Sequence, residues 1–188
     1  MPVHSAMKTD QSTILPTGAT LTPLATHSDE RGDLTEIFRD EWHKSPAPVQ
    51  WIVSRSEANV LRGVHVHRVH WDYFCVVAGD IFVGLHDLRP AEPAARRSAV
   101  VRLNGERLQM LTIPPGVAHG FYSSGDAMYV IGTSAYYDPS DHRACRWDSP
   151  ELALHWPCTA PRLSASDREA GGYAELRAAF LASAGVGS

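Results

Sequence analysis

Short runs of β-branched and aromatic residues, each closed by a tight turn, dominate the middle of this 188-residue chain. The runs lie at 51–53, 73–77, 81–85, 99–101, 109–113 and 128–131. Turn-forming residues end them at 29–33, 78–80, 104–105, 114–116 and 124–126. Closely spaced strands bounded in this way are typical of an all-β sandwich or barrel. The pattern therefore favours a small antiparallel jelly roll, in which inward-facing side chains line a ligand cavity.

Helical periodicity occurs only near the C-terminal end, at 173–181, where Tyr173, Leu176, Phe180 and Leu181 would share one face. We expect this short helix to cover part of the barrel. Residues 1–20 are small and polar and are predicted to form an N-terminal arm. No repeat or linker divides the remainder, so 21–188 is predicted to be one domain with a single core.

Charge and cysteine content exclude several classes of function. The formal net charge is −4, which provides no basic field for a nucleic acid. No apolar run is long enough to span a membrane, and no secretory leader is visible. The three cysteines have unrelated spacings and indicate no disulfide framework. We therefore expect a cytoplasmic protein that binds neither membranes nor nucleic acids.

Ten histidines stand beside only two lysines, and several of the histidines lie close together. His65 and His67 alternate around Val66, so on a strand both imidazoles would point to the same face. His119 follows a Pro/Gly corner that would fix its position at the start of another strand. Taken singly, other histidines are interpreted as hydrogen-bonded structural residues: His70, His86 and His142.

The string His65-x-His67-x4-Asp72-x6-Gly79, followed by Pro114-x-Gly116-x2-His119, resembles the two metal motifs of the cupin superfamily, with aspartate in place of the usual glutamate. Three imidazoles and one carboxylate converging inside a barrel would suit Fe, Mn, Ni or Zn. His65, His67, Asp72 and His119 are thus a candidate metal site.

A second resemblance extends over about residues 27–170. It rests on blocks that follow one another in order: Asp29-Glu30-Arg31-Gly32, Leu61-Arg62-Gly63-Val64-His65, Ile113-Pro114-x-Gly116-x-Ala118-His119-Gly120-Phe121, Tyr136-Tyr137-x-Pro139, Trp156-Pro157 and Leu163-Ser164-x-x-Asp167. Together they resemble the dTDP-4-dehydrorhamnose 3,5-epimerase family. The resemblance implies a cupin-type double-stranded β-helix, a homodimer and a reaction that requires no metal or other cofactor.

The same resemblance implies roles for individual residues. His65 matches the base that removes protons at C3 and C5 beside a C4 ketone, and Asp167 matches the carboxylate that orients it. Other matches are to substrate-binding positions: Arg31 and Arg62 toward the nucleotide diphosphate, Glu36 and Gln50 toward the nucleotide, and His119.

The sequence departs from the family pattern at positions that carry catalytic or nucleobase-binding residues in the family. Asp72 stands where the family has a lysine that steadies the enolate, and His67 replaces a glutamine. Ile131 lies at or beside the position of the catalytic tyrosine, so Tyr136 or water is the candidate acid. Leu34 and Ile52 replace residues expected near the nucleobase, which weakens thymidine recognition.

These observations predict a nucleotide-sugar isomerase that epimerises a (d)TDP- or other NDP-4-keto-6-deoxyhexose at C3, C5 or both by enolisation. A 3,4-ketoisomerase variant of this chemistry is conceivable. The alternative is a metal-dependent cupin enzyme that acts on another small molecule through the three histidines and Asp72. If His65 coordinated a metal it could not also be the free base, so the two hypotheses compete for this residue. A third hypothesis is a sugar-nucleotide binding protein that has lost its acid.

Overall fold

The computed structural model describes residues 14–42, 44–89 and 97–182. Within these ranges the chain forms mostly antiparallel strands. In chain order they are β1 (Thr20–Pro23), β2 (Thr26–Asp29), β3 (Gly32–Thr35), β4 (Gln50–Ser56), β5 (Val60–Val66), β6 (Asp72–Ala78), β7 (Asp80–Asp87), β8 (Ser98–Asn104), β9 (Gln109–Ile113), β10 (Val117–Ser123), β11 (Ala127–Thr133) and β12 (Arg143–Ala144). Two α-helices follow, α1 (Ala165–Arg168) and α2 (Tyr173–Ala182).

The strands build two five-stranded sheets and one hairpin. The first sheet has the order β1-β9-β6-β11-β4, the second has the order β12-β5-β10-β7-β8, and β2 pairs with β3. All six strand runs predicted from the sequence lie within strands, β4, β6, β7, β8, β9 and β11. The cupin-type jelly roll predicted from the sequence is thereby confirmed.

Every second side chain along the strands points inward, and these side chains form the core between the two sheets. In β8 every second residue, Ala99, Val101 and Leu103, is buried, as expected for a strand with one face on a core. The interior cluster draws on both sheets and comprises Phe74, Val76, Ile81, Val83, Leu85, Val101, Leu103, Leu111, Ile113, Val117, Ala127 and Tyr129. Burial of this apolar surface is the main stabilising contribution to the fold.

The C-terminal helix packs where its periodicity predicts. Leu176 and Phe180 of α2 are buried against the second sheet, in a cluster with Val64, Val66 and Ala118. Partly buried residues extend the same face, Tyr173 and Leu181. The predicted helix is therefore confirmed, and it covers the outer face of β5 and β10.

The predicted N-terminal arm lies outside the described residues up to position 13. From residue 14 onward the chain contacts the domain: Leu15 and Ala19 pack against the interior cluster, and the Arg89 guanidinium donates to the carbonyl oxygen of Thr17. Among the described residues, no helix has the length and apolar character needed to cross a lipid bilayer.

Candidate active site

Two histidines lie at the C-terminal end of strand β5. His65 lies in β5, and His67 follows directly after its last residue. Both rings contact the same neighbour, His142, with centroid separations of 4.4 Å for His65 and 5.5 Å for His67. The predicted placement of the two imidazoles on one side of the strand therefore agrees with the structure.

His65 forms a hydrogen bond with a carboxylate from the far end of the chain. Its Nε2 lies 2.7 Å from Oδ1 of Asp167, which is 102 residues away in α1. Asp167 is buried, whereas the His65 side chain is 21% exposed. The structure thus brings together the two residues that sequence comparison suggested as base and partner.

Hydrogen bonds hold the Asp167 carboxylate in its ionised form. Burial alone would raise the pKa of Asp167, but hydrogen bonds from His65, Ser164 and the backbone of Gly63 outweigh it and leave the pKa below its usual range. Ser164 is the N-cap of α1: its hydroxyl accepts from the Asp167 amide at 3.0 Å and donates to Oδ2 at 2.8 Å. An ionised Asp167 accepts the Nε2 proton of His65, which leaves Nδ1 as the basic nitrogen.

Gly63 lets β5 approach β10 closely just before His65. Its φ is +116°, and a Cβ atom built there would lie 2.7 Å from the Cα atom of Gly120. Only glycine fits both constraints without displacing the neighbouring backbone. The close approach places His65 opposite His119 in the β5–β10 register.

A second cluster lies beside this pair and consists of His67, Asp72 and His119. One possible ligand atom from each residue lies within 4.8 Å of those of the other two. Asp72 and His119 are buried, and His119 Nε2 is 3.7 Å from an Asp72 oxygen. The His119 Nδ1–H donates to the carbonyl oxygen of Val117 at 3.1 Å, so Nε2 faces the cluster with its lone pair.

One ring nitrogen of His67 lacks a hydrogen-bond partner within this cluster. Its Nδ1 is shielded from solvent and has no hydrogen-bond partner. Burial, followed by the neighbouring His119, lowers the pKa of His67 to about 3. His67 is therefore neutral at physiological pH and keeps one nitrogen lone pair available as a ligand.

His70 supports the cluster from the adjoining loop. Its ring stacks on His67 at 4.1 Å and lies between two carboxylates, 3.5 Å from Asp72 and 3.7 Å from Asp141. Burial works to lower the pKa of His70, but these carboxylates outweigh it and raise the pKa. The loop itself is held because Asp141 accepts hydrogen bonds from two amides, of Arg68 and Val69.

The predicted four-residue metal site divides into two parts in the structure. His67, Asp72 and His119 come together, whereas His65 is not a member of the group and bonds Asp167 through Nε2. The carboxylate that bonds His65 comes from α1, and a place in the cluster of three is therefore not needed to give His65 a partner.

The other residues predicted to bind substrate each have their own local partners and do not share one contact. Arg62 donates from Nε to the Ser56 hydroxyl at 3.2 Å, and Gln50 accepts from the Tyr137 amide at 3.2 Å. Two others lie in exposed ion pairs near the β2–β3 hairpin, Arg31 with Asp29 and Glu36 with Arg39.

The position of the expected acid is apolar. Ile131 packs against the interior cluster, and Tyr129, two residues earlier on β11, is fully buried with its hydroxyl 3.1 Å from that of Ser56. Tyr136 is 75% exposed on the loop after β11. Its neighbour Tyr137 contacts the ring of His142, with a centroid separation of 6.4 Å.

Several residues of this region are not indicated by the sequence. The sequence predicts structural roles for His70 and His142, yet both rings contact His67. No motif or spacing points to Asp141. These residues lie in loops, where no periodicity indicates a shared face. By contrast His86 is a structural residue as predicted, since its ring nitrogens contact Ser98, the Leu152 carbonyl and Tyr173.

Comparison with known proteins gives a consistent result. The family model described as dTDP-4-dehydrorhamnose 3,5-epimerase matches residues 14–175. The chain is similar to the dTDP-4-dehydrorhamnose 3,5-epimerase of Neisseria gonorrhoeae, with 34% identity over 74% of this chain and 45% of that protein, so the match spans less than half of the Neisseria chain. It is 30% identical to the enzyme of the same name from Pseudomonas aeruginosa, over 78% of this chain and 86% of that one.

A solved structure agrees with these sequence relatives. The Mycobacterium tuberculosis rmlC epimerase superimposes with a TM-score of 0.82 and 29% identity, over 88% of each chain. The similarity therefore includes the whole barrel and is not limited to a local motif.

Proposed function

The chain belongs to the dTDP-4-dehydrorhamnose 3,5-epimerase family, and on this premise we propose that it epimerises a dTDP- or other NDP-linked 4-keto-6-deoxyhexose at C3, at C5 or at both. The observation that carries the proposal is the hydrogen bond of 2.7 Å between His65 and the buried Asp167. A histidine oriented by a carboxylate is suited to removing a proton from carbon at neutral pH.

In this mechanism Nδ1 of His65 removes the proton from the carbon next to the C4 ketone. The electron pair of the C–H bond moves into a new C=C bond, and negative charge develops on the C4 oxygen. Asp167 accepts the Nε2–H hydrogen bond and stabilises the imidazolium that forms. A positioned base of this kind contributes a rate enhancement of about 10²–10⁴-fold.

Epimerisation requires that a proton return to the opposite face of the same carbon. The resemblance expects a tyrosine at or beside Ile131, which has no proton to donate. We assign the return of the proton to Tyr136 or to a water molecule. Tyr136 is exposed beside Tyr137, whose ring approaches His142 next to the dyad.

The nucleotide end of the substrate is assigned to residues outside the buried histidine cluster. Arg31 and Arg62 are proposed to bind the diphosphate, since guanidinium groups match pairs of phosphate oxygens. Glu36 and Gln50 are proposed to contact the nucleotide, and His119 to face the sugar from the strand opposite His65.

Two further expectations concern assembly and location. A homodimer is supported by β4, an edge strand that exposes Trp51, Ile52 and Val53. A cytoplasmic location is supported by the three cysteines, which are all unpaired. Sedimentation of the purified protein at the mass of two chains would agree with the dimer, and sedimentation as a monomer would contradict it.

Solvent exchange tests the reaction directly. The protein is incubated in D2O with a dTDP-4-keto-6-deoxyhexose, and the sugar nucleotide is analysed by mass spectrometry and NMR. Deuterium at C3 alone indicates a 3-epimerase, and deuterium at both C3 and C5 indicates a 3,5-epimerase. The variant His65→Asn, which keeps a similar shape without a basic nitrogen, is expected to exchange at least about 100-fold more slowly.

The matched control is His155→Asn, because His155 is an exposed histidine that belongs neither to the dyad nor to the cluster of His67, Asp72 and His119. This variant should exchange at the rate of the unaltered protein. Absence of exchange with several 4-keto sugar nucleotides would overturn the proposal. The alternative of a metal enzyme with His65 as ligand, acting on another small molecule, is disfavoured by the His65–Asp167 bond and by the named relatives.

A further inference from the structure

The cluster of His67, Asp72 and His119 has no role in the proton transfer just described. It places a carboxylate and two imidazoles in the interior of the barrel, where polar groups are costly unless they are fully paired. Asp72 is almost completely buried, and its described ion-pair partners are two histidines, His70 and His119. A cation bound here would be a further positive partner for Asp72, beside His70.

The geometry and the donor types fit a divalent metal ion. The ligand atoms of the three residues lie within 4.8 Å of one another. Ligands bound at about 2.0–2.2 Å around one ion stand about 3–4 Å apart, so small side-chain rotations suffice. Two imidazoles and one carboxylate form a donor set that first-row transition metals prefer, and it leaves coordination positions open.

The neighbouring residues orient the ligands as a metal site requires. The hydrogen bond from His119 Nδ1 to the Val117 carbonyl fixes the tautomer and directs the Nε2 lone pair toward Asp72. His70 supports the outer side of Asp72 and is itself held near Asp141. These are the supporting contacts that set the orientation and basicity of metal ligands.

An independent observation also points to a missing partner. The Nδ1 atom of His67 is solvent-inaccessible and has no hydrogen bond. A buried polar atom left in this state destabilises the folded chain. Coordination by His67 would convert this unpaired imidazole into a bonded ligand.

We propose that His67, Asp72 and His119 bind one divalent transition metal ion, of the class Mn²⁺, Fe²⁺, Ni²⁺ or Zn²⁺, beside the His65–Asp167 dyad. His65 pairs with His119 across β5 and β10, so the ion lies within one side chain of the base. The part of the inference that concerns catalysis rests on the proposed function: the ion would stabilise the negative charge on the C4 oxygen as a Lewis acid. Asp72 stands where the family has a lysine that steadies the enolate. The metal ion would supply the positive charge that the lysine carries in the family.

Direct binding measurements test the site without relying on activity. The full chain is dialysed against a chelator and titrated with Zn²⁺ and with Mn²⁺ by calorimetry. We expect one ion per chain. Asp72→Asn and His119→Ala should each weaken the affinity for the ion by about tenfold to 100-fold. Circular dichroism and thermal melting check that both variants are folded.

Two control variants separate the cluster from its surroundings. His155→Ala removes an exposed histidine and should leave the affinity unchanged, which excludes binding at the surface. His65→Asn should also retain the ion, because His65 bonds Asp167 and not the cluster. An ion that stays equally bound in folded Asp72→Asn and His119→Ala variants, or a folded chain that binds no ion, would overturn the inference.

Measuring D2O exchange on the same samples distinguishes this inference from the proposed function. Exchange by a chain that binds no ion refutes the metal site and leaves the epimerase proposal standing. A stoichiometric ion that depends on Asp72 and His119, in a chain that exchanges no 4-keto sugar nucleotide, supports the metal site and refutes the epimerase proposal.

Discussion

The barrel interior has two halves built from the same strands: a histidine half, formed by His67, Asp72 and His119, and an apolar half, formed by the interior cluster. The first contains ionisable side chains and the second contains hydrocarbon and aromatic side chains. On β6, Asp72 belongs to the histidine cluster, and Phe74 two residues later belongs to the apolar interior. On β10, His119 is likewise followed by Phe121. The His119 ring stacks on Phe121 at 5.7 Å, and Phe121 stacks on Phe74 at 4.5 Å, so the boundary is one aromatic layer thick.

The difference between the halves separates stability from chemistry. The apolar half contributes free energy of folding by removing hydrocarbon surface from water. The histidine half opposes folding, since it buries ionisable groups and leaves His67 Nδ1 unpaired. The chain can bury ionisable groups in one half of the barrel because apolar burial in the other half supplies the free energy of folding that offsets their cost.

Truncating the apolar half should give the largest change in stability. Phe74 is 1% exposed and packs between Phe121 and Tyr129. We expect Phe74→Ala to lower the free energy of unfolding by about 3–5 kcal/mol, because it removes buried surface and leaves a cavity. Denaturant unfolding followed by tryptophan fluorescence measures this change.

The exposed residue Val69, which lies outside the β4 edge, supplies the matched control. Val69→Ala removes apolar atoms outside the core, and the expected change is within about 0.5 kcal/mol. Equal effects of the two substitutions would show that the apolar half is not where the stability of this barrel resides.

Removing His67 should alter the pH dependence of stability. Its folded pKa of about 3 lies below the unfolded value, so the unfolded chain binds the proton first as pH falls. The free energy of unfolding of the unaltered chain therefore decreases through this group below about pH 6.5, by about 2 kcal/mol by pH 5. In His67→Ala, measured with chelator present, the curve should be flatter by that amount.

His155→Ala is the control for this experiment, because an exposed histidine should leave the curve parallel to that of the unaltered chain. A curve for His67→Ala that also runs parallel would mean that His67 is not held neutral by burial, and that the histidine half does not oppose folding in this way.

The smallest expected effect concerns Ser164, which connects the helix cap to the dyad. Ser164→Ala removes the N-cap of α1 and a hydrogen bond to Asp167. We expect a loss of about 1 kcal/mol in the free energy of unfolding and a decrease in kcat of less than tenfold, with KM unchanged. Ser164→Thr retains the hydroxyl and should restore kcat; failure to restore it would show that the hydrogen bond does not position Asp167.

Much of the fold follows from local pattern. The strands β4, β6, β7, β8, β9 and β11 and the helix α2 coincide with runs whose periodicity predicted them. The orientation of His65 and His67 also follows locally, because side chains alternate along a strand. The pairing of Asp167 with His65 is predicted only by the resemblance to a family, since no local rule connects residues that are 102 positions apart.

The sequence by itself determined that this chain forms a jelly roll with a histidine pair on one strand, because alternation and turn chemistry act over a few residues. Only the tertiary structure decided which group each histidine meets. The packing of α1 beside β5 places Asp167 against His65, and the β10 strand places His119 with His67 and Asp72. The alternation of side chains along a strand selects a face, but the partner met on that face depends on how distant segments pack. This packing divides one predicted cluster into the hydrogen-bonded pair His65–Asp167 and a separate group of three possible ligands.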